Sequence, residues 1–192
     1  QISREKDYLH SVVLGFNVSL MSDVKALNVK VITNNVIYKL IEDFEKWQEE
    51  ERKKIEGKEI EFLVRPCKMQ IMKGYIFRQS NPAVAGMDIL AGNLKVNTPL
   101  MKKNGITITE AKSIQHEQEN IEKAEKGKQV AVSMPKVMVG RQINEGDILY
   151  SAIPEDDFKK LKELKKYLAP EEIEILKEIA GIMREKNPVW GV

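Results

Sequence analysis

CKMQIMKGYIFRQSNPAVAGMDIL, residues 67–90, is the stretch of sequence that decides the fold. Apolar positions alternate with polar or small ones over residues 67–71 and again over residues 84–89, a period that is typical of strands with one buried face. The Ser-Asn-Pro sequence at 80–82 lies between them and is a turn signal. The stretch therefore predicts two β-strands joined by a turn.

The same two-residue period continues over most of residues 60–153. Alternating segments lie at 62–64, 94–96, 106–108, 130–134, 137–139 and 148–150, and turn signals that contain glycine lie at 91–93, 104–105 and 145–147. Short strands at this spacing predict a small closed β-barrel, which we place at residues 59–153. Residues 115–126 are the one interruption with a helix-compatible pattern.

A long helix is predicted immediately before the barrel, in a connecting segment at residues 35–58. Asn35 or the asparagine before it can cap the helix, and apolar residues recur at helical spacing as far as Trp47, after which the sequence is charged. A helix from Asn35 to about Glu56 is roughly 33 Å long. It is either a rigid connector between two bodies or an amphipathic helix with a frayed end that stops at Gly57.

The two ends of the chain have different patterns. In residues 1–34, β-branched runs at 11–18 and 29–33 predict two strands, and Ser22-Asp23 can cap about two helical turns between them. Such a piece cannot bury a core, so it either packs on the rest of the chain or is the end of a larger domain. In residues 154–192, two apolar stripes with a period of 3.6 predict an αα-hairpin.

The composition is that of a folded protein. The chain has 192 residues, of which 42% are hydrophobic and 31% charged, so a disordered or low-complexity chain is excluded. No apolar run is long enough to predict a transmembrane helix, and the first residues have no signal-peptide pattern. The single cysteine, Cys67, indicates a reducing compartment.

Charge is distributed unevenly along the chain, although its total is only +2. Residues 62–109 contain seven basic side chains and one acidic side chain, Asp88. This excess is either a footprint for phosphate groups or a solvated surface whose acidic partners come from elsewhere in the chain. Tyr75, Phe77 and Arg78 lie within it. They could stack on an unpaired base or a ribose, although aromatic residues of barrels are usually core.

The motifs of several enzyme classes are absent. There is no GxxxxGK[ST] sequence, so a P-loop for a nucleoside triphosphate is excluded. The two histidines, His10 and His116, do not have the spacing of a helical metal site, and we predict no metal site. Cys67 and His116 could be imagined as nucleophile and base, but the alternation places Cys67 on a buried face, which favours an inert thiol.

Four segments resemble one protein family, in the order in which the family has them. They are VKVITNNVIYKLIEDFEKW at 29–47, GYIFRQSNPAVAGMDILAGNL at 74–94, IEKAEKGKQVAV at 121–132 and GRQINEGDILYS at 140–151. Together they resemble the carboxy-terminal part of archaeal and eukaryotic translation initiation factor 5B, whose bacterial counterpart is initiation factor 2. The resemblance covers essentially the whole chain.

This resemblance implies a domain organisation. Residues 1–34 would be the end of the third, α/β/α domain of the family, and residues 35–58 its long connecting helix. Residues 59–153 would be the β-barrel of the fourth domain, similar to domain 2 of translational GTPases, followed by a helical hairpin at 154–192. The family binds GTP and Mg²⁺ in its first domain, which this chain lacks, so no enzymatic activity and no cofactor are expected here.

The resemblance also implies a cytoplasmic function in protein biosynthesis. The fourth domain would bind the methionylated acceptor end of initiator tRNA on the ribosome and support joining of the ribosomal subunits, without membrane contact. The implied tRNA-binding residues are Arg78, Gly86, Gly92, Gln115, His116, Gln129, Val130 and Ala131. Bacterial members, which require a formylated methionine, have basic residues where this chain has Gln115 and His116.

The alternative function is that of a protein-interaction module. In eukaryotic members of the family, the terminal helices receive the acidic and apolar tail of initiation factor 1A. Here the partner-binding residues would be Leu161, Leu164, Leu168 and Leu176 in a groove, with Lys159, Lys162 and Lys165 around it. The other interpretation of this pattern is that the apolar residues pack the hairpin onto the barrel and the lysines form a solvated face.

Overall fold

The computed structural model describes residues 8–19 and 29–192, and the chain divides into two compact units, Gln1–Glu61 and Phe62–Val192. The predicted cap at Ser22-Asp23 lies outside the described residues. Within the described ranges, no helix combines the length and the apolar character needed to cross a membrane.

The first unit contains the two predicted strands, which pair in parallel. A 3-10 helix (Tyr8–His10) precedes β1 (Val12–Phe16), which lies alongside β2 (Lys30–Asn34) with Val13 opposite Val31. The long helix α1 (Ile37–Phe62) follows. A small apolar cluster joins the sheet to the helix: Ile32, Leu40 and Trp47, with Val12 and Phe44 packed against them.

The helix α1 begins close to the predicted residue but ends later. Asn34 Oδ1 accepts a hydrogen bond from the Val36 N–H at 3.1 Å, and Asn34 Nδ2 donates to Asp43 at 3.0 Å. The predicted stop at Gly57 is wrong, because this glycine lies inside the helix without a positive φ. Glycine costs only about 1 kcal/mol there relative to alanine. Helix-forming residues follow, and Ile60 is buried, which extends the helix to Phe62.

The second unit is built on a nine-stranded antiparallel sheet. Its strands are β3 (Cys67–Arg78), β4 (Ala83–Lys95), β5 (Pro99–Lys102), β6 (Thr107–Glu110), β7 (Ser113–His116), β8 (Glu119–Ile121), β9 (Lys123–Glu125), β10 (Gln129–Met134) and β11 (Ile148–Ser151). Their order is β6-β5-β11-β3-β4-β10-β7-β8, and β9 pairs with the far end of β4. The sheet curls around its core as a half-barrel.

The predicted fold class, mixed α and β with a barrel-like sheet and terminal helices, is confirmed, with corrections of detail. The hydrogen-bonded ladder does not close but ends at β6 and β8. The helix-compatible residues 115–126 form strands instead of a helix. A two-residue turn reverses the chain after His116, and the pairing of β8 with β7 and of β9 with β4 outweighs the local helical preference. The predicted alternation at 62–64 is not a strand, since Phe62 still belongs to α1.

The core of the second unit is formed by the alternating residues of the sheet. It contains Cys67, Met69, Ile71, Ala85, Met87, Ile89, Val130, Val132 and Leu149 among others, nearly all inaccessible to solvent. Burial, and to a lesser extent the charge of Glu172, raises the pKa of the Cys67 thiol. The prediction of a buried thiol is therefore confirmed, and the raised pKa supports the prediction that it is inert.

Two helices follow the sheet, as predicted. They are α2 (Glu155–Glu163) and α3 (Pro170–Arg184), with a 3-10 turn (Lys165–Tyr167) between them. The predicted groove residues Leu161, Leu164, Leu168 and Leu176 are all buried. An apolar groove open to a partner was therefore the wrong expectation, because these leucines pack within the unit. Lys159, Lys162 and Lys165 are exposed.

One carboxylate ties α3 to the sheet. Glu172 is 1% exposed and accepts hydrogen bonds from Arg65 Nε at 3.1 Å, Asn93 Nδ2 at 2.9 Å and the Ala169 N–H at 3.0 Å. Arg65 also places Nη2 against the second carboxylate oxygen. Burial raises the pKa of Glu172, but the hydrogen bonds from Arg65, the Ala169 N–H and Asn93 outweigh it and hold the pKa below its usual value. The side chain is therefore an ionised, fully bonded anchor.

Candidate binding trough on the outer face of the sheet

Three neighbouring strands present small side chains on the outer face of the sheet. Ala131 of β10 lies opposite Gly86 of β4 on one side and Gln115 of β7 on the other. In the next row, Ser133 lies opposite Val84. Because successive residues of a strand point to opposite faces, these positions alternate with the core residues and face outwards. They form a low floor.

A bulge in β3 borders this floor on one side and forms a wall of the site. Ile71 pairs with Met87 and Ile76 pairs with Ala85, so five steps along β3 correspond to two along β4, which leaves three additional residues. Gly74, with φ +78°, lies within the bulge and donates its N–H to a Glu145 carboxylate oxygen at 3.1 Å. Bulges of this kind redirect side chains at a sheet edge or beside a site.

The bulge places two aromatic rings at the surface. Tyr75 is 51% exposed and Phe77 is 64% exposed, so both differ from the core aromatics that barrels usually contain. Tyr75 approaches β4 closely, since a Cβ built on Gly86 would lie 2.8 Å from the Tyr75 Cβ. Only glycine at position 86 leaves room for the tyrosine in this position.

The β7–β8 hairpin forms the opposite side. Glu117 (φ +51°) and Gln118 (φ +70°) are the two residues of its turn, between the paired His116 and Glu119. Two left-handed residues in succession are typical of a type I′ turn. His116 Nδ1 lies 3.1 Å from the Gln129 carbonyl oxygen, which positions the hairpin beside β10.

Two adjoining cavities run between the aromatic wall and the hairpin. The larger, about 440 Å³, is lined by Met72, Tyr75, Phe77, Val84, Gly86, Gln115, Glu117, Gln118, Gln129, Val130 and Ala131. The second, about 340 Å³, shares Phe77, Val84, Gln115 and Ala131 with it and adds Arg78, Pro82, Ser113 and Ser133. Because the two share these four residues, we call them together the outer trough.

The outer trough brings together most of the predicted tRNA-binding residues. Gly86, Gln115, Gln129, Val130 and Ala131 line the larger cavity, and Arg78 lines the smaller one. The His116 ring is bonded beside the cavity to Gln129 rather than lining it.

Gly92 is the exception. It lies opposite Cys67 at the other end of the β3–β4 pair, with φ +78°, where an added Cβ would lie 2.0 Å from the Pro66 carbonyl oxygen. It therefore lies apart from the outer trough, at a place where the close packing of two backbones requires glycine.

Three of the seven basic side chains of residues 62–109 are paired with acids from elsewhere in the chain. Arg65 pairs with Glu172, Lys68 with Glu178 at 2.8 Å and Lys102 with Asp147 at 3.3 Å. Arg78 is exposed, and no ion pair of its side chain occurs among the described residues. Of the basic side chains that the sequence suggested for phosphate binding, Arg78 is the one that lines the outer trough.

The geometry can be compared with known proteins. The family model of elongation factor Tu domain 4 matches residues 65–150, which contain the outer trough. The probable translation initiation factor IF-2 of Hyperthermus butylicus is 42% identical over 99% of this chain. Its counterpart in Methanosarcina mazei is 40% identical over 100% of the chain.

A solved structure agrees with these relatives. The crystal structure of GDP-bound aIF5B from Aeropyrum pernix superimposes on 93% of this chain with a TM-score of 0.66 and 36% identity. The chain belongs to the archaeal IF-2/aIF5B family. The resemblance predicted from the sequence is therefore confirmed. The chain spans 32% and 33% of the two IF-2 relatives and 31% of the aIF5B chain, about a third of their length.

Sequence reasoning missed part of the trough of this IF-2/aIF5B family member. Met72, Val84 and Gln118 line it but carry no motif. Gly74 was the one available signal, since a glycine inside a strand pattern suggests a bulge. No comparable signal marks the turn at Glu117, because its two residues are not those that type I′ turns prefer.

Proposed function

We propose that this chain is the part of an archaeal initiation factor that binds the methionylated acceptor end of initiator tRNA in the outer trough. It would do so on the ribosome, in the cytoplasm, in support of subunit joining. One observation carries the proposal: Phe77 and Tyr75 expose their rings beside a floor of small residues, with Arg78 at one end. Exposed aromatic platforms next to a cation suit unpaired bases and their phosphates.

The lining of the trough offers complementary contacts for each part of such a ligand. The aromatic faces of Tyr75 and Phe77 can stack on the terminal bases, and Arg78 can bind a phosphate as a charged donor. The carboxamides of Gln115 and Gln129 can donate to and accept from base edges and ribose hydroxyls. Met72, a flexible apolar side chain, can adapt to the thioether side chain of methionine.

The proposal does not require nucleotide hydrolysis in this chain. The A. pernix relative is described as GDP-bound, and this chain covers 31% of it. We infer that guanine nucleotide binding belongs to another part of the whole factor. In this view the chain is the tRNA-binding end of a GTPase and not an enzyme by itself.

The substitution Phe77→Ala tests the stacking platform. Loss of one base–aromatic stack is worth about 1–3 kcal/mol, so the dissociation constant for methionyl-tRNA should rise about five- to 150-fold. Tyr38→Ala is the matched control, because Tyr38 is an aromatic side chain that is 76% exposed in the other unit. Fluorescence anisotropy with labelled methionyl-tRNA measures both. Equal affinities of the two variants would refute the proposed site.

Arg78→Ala provides a second, independent measurement. If Arg78 binds a phosphate, its removal should weaken binding and reduce the slope of log affinity against log salt by about one. Lys103→Ala is the control, because Lys103 is exposed in the same basic segment but does not line the trough. An unchanged slope in Arg78→Ala would remove this residue from the phosphate contact.

A contact with initiation factor 1A is a second proposal, now restricted to charge. Since the leucines of the helical hairpin are buried, an acidic tail could reach only exposed lysines such as Lys159 and Lys165. Such a contact should be weak and should disappear at high salt. Titration of factor 1A into labelled chain should therefore give chemical shifts near these lysines that vanish in Lys165→Glu. Shifts that persist at high salt would contradict the electrostatic contact.

A further inference from the structure

The outer trough carries opposite charges at its two ends. Glu117, in the turn of the β7–β8 hairpin, lines the larger cavity, and Arg78, at the end of β3, lines the smaller one. Both side chains are exposed, and neither forms an ion pair with any residue that the structure describes. The remaining lining is aromatic, apolar, hydroxyl or carboxamide. A ligand in the trough therefore meets a negative end and a positive end.

The two charges lie well apart on the sheet. Arg78 is in register with Val84, which lies opposite Ser133, and Ser133 lies opposite Ser113. Glu117 follows Ser113 by four residues along the hairpin. The charges are thus displaced both across the strands and along them. This separation suits a ligand with a cation and an anion at different ends, rather than a single ion.

Glu117 is also placed in an unfavourable backbone conformation. A left-handed conformation costs a residue other than glycine about 1–2 kcal/mol, and Asn-Gly is the usual sequence in this kind of turn. The Glu117 carboxylate makes no hydrogen bond with a described residue that would compensate this cost. Residues that adopt an unfavourable backbone conformation without a compensating local interaction are concentrated at functional sites.

We propose that Glu117 recognises the free α-amino group of the aminoacyl ester and makes the trough selective for an end whose amino group is not acylated. This inference rests on the proposed function and adds the orientation in which the aminoacylated end lies in the trough. The amino group lies at the hairpin, and a phosphate of the terminal nucleotides lies at Arg78. The reason is chemical: a protonated α-amino group can pair with a carboxylate, whereas an N-acyl group is neutral and cannot.

The test compares three ligands and three proteins. Methionyl-tRNA, N-acetylmethionyl-tRNA and deacylated tRNA are titrated into the full chain, into Glu117→Gln and into Glu119→Gln. Glutamine keeps the size of the side chain, and the neighbouring Gln118 already adopts φ +70°, so the turn should be retained. Glu119 belongs to the same hairpin and is exposed but does not line the trough, which makes it the matched control.

The wild-type chain should bind methionyl-tRNA about two- to fivefold more tightly than N-acetylmethionyl-tRNA, as expected for an exposed ion pair. Glu117→Gln should lose this preference, whereas Glu119→Gln should keep it. Equal binding of both aminoacylated ligands by the wild type would overturn the inference. A preference that survives in Glu117→Gln would do the same, since it would then arise from the bulk of the acetyl group.

Failure of the proposed function gives a different result. In that case the wild type would not distinguish methionyl-tRNA from deacylated tRNA, and Phe77→Ala would bind both as the wild type does. If only the role of Glu117 is wrong, discrimination against deacylated tRNA and the effect of Phe77→Ala would both be retained. The two failures are therefore distinguishable in one set of titrations.

Discussion

Replacing Glu172 by glutamine should strongly destabilise the second unit. The carboxylate is 1% exposed and accepts hydrogen bonds from Arg65, Asn93 and the Ala169 N–H. In glutamine, an NH₂ group replaces one of the two carboxylate oxygens, so a hydrogen-bond donor faces other donors. The substitution also leaves Arg65 without its counter-ion. Removing one partner of a buried ion pair costs about 3–5 kcal/mol, and because glutamine keeps the volume and one acceptor we expect about 3 kcal/mol.

The thermal midpoint provides the assay. For a unit of this size, 1 kcal/mol corresponds to roughly 4 °C, so calorimetry of Glu172→Gln should show a decrease of about 12 °C. Glu178→Gln is the control in the same helix. Glu178 also bonds a lysine of the sheet, but its side chain is 43% exposed, so it should lower the midpoint by at most about 4 °C. Equal decreases in the two variants would refute the assignment of Glu172 as the anchor.

The same residue predicts a pH dependence. Its pKa lies lower in the folded protein than the ordinary value of 4.5, so the folded state binds fewer protons than the unfolded chain around that pH. Its contribution to stability is therefore complete above pH 4.5 and is lost as the pH falls through the folded pKa. The decrease in midpoint between pH 6 and pH 3 should be smaller in Glu172→Gln than in the wild type. An equal decrease would contradict the lowered pKa.

Three further predictions concern other parts of the chain. Gly92→Ala should prevent the second unit from folding normally, because the new Cβ would lie 2.0 Å from the Pro66 carbonyl oxygen at φ +78°; a native-like melting transition would contradict this. Cys67 should not react with a thiol reagent in the folded protein and should react fully after denaturation, since it is buried with a raised pKa; rapid labelling of the native chain would disprove it. Glu50→Pro should destabilise α1 by about 3 kcal/mol and lower the hydrogen-exchange protection of its amides, while the second unit keeps its melting temperature. Loss of amide protection in the sheet of the second unit would contradict this independence.

The strands of the second unit could be predicted where one face is buried. Residues such as Met69, Met87 and Val132 lie on the inner face, and apolar residues recur there at every second position. This alternation is the pattern that predicts a strand with one buried face. The hairpin at 117–118 could not be predicted, because Glu-Gln has none of the usual turn chemistry and its strands gain their stability by pairing with distant segments.

The candidate site was only partly accessible from the sequence for a related reason. The bulge of β3 depends on its register with β4 and on a hydrogen bond from Gly74 to Glu145, 71 residues later. The charge pattern was misleading because Arg65 and Lys68 are neutralised by Glu172 and Glu178, more than 100 residues away. Local sequence shows which side chains are charged, but only the tertiary fold shows which of them remain available to a ligand.

The open ends of the hydrogen-bonded ladder affect how the chain behaves at high concentration. A free sheet edge is a template for strand addition and for growth of cross-β aggregates. Here the edge strands β6, β8 and β9 are only four, three and three residues long, and they carry Glu110, Glu119 and Glu125. A second copy that met any of these edges could form few backbone hydrogen bonds and would have to approach a carboxylate. Short, acidic edges thus let the half-barrel stay open without promoting its own polymerisation.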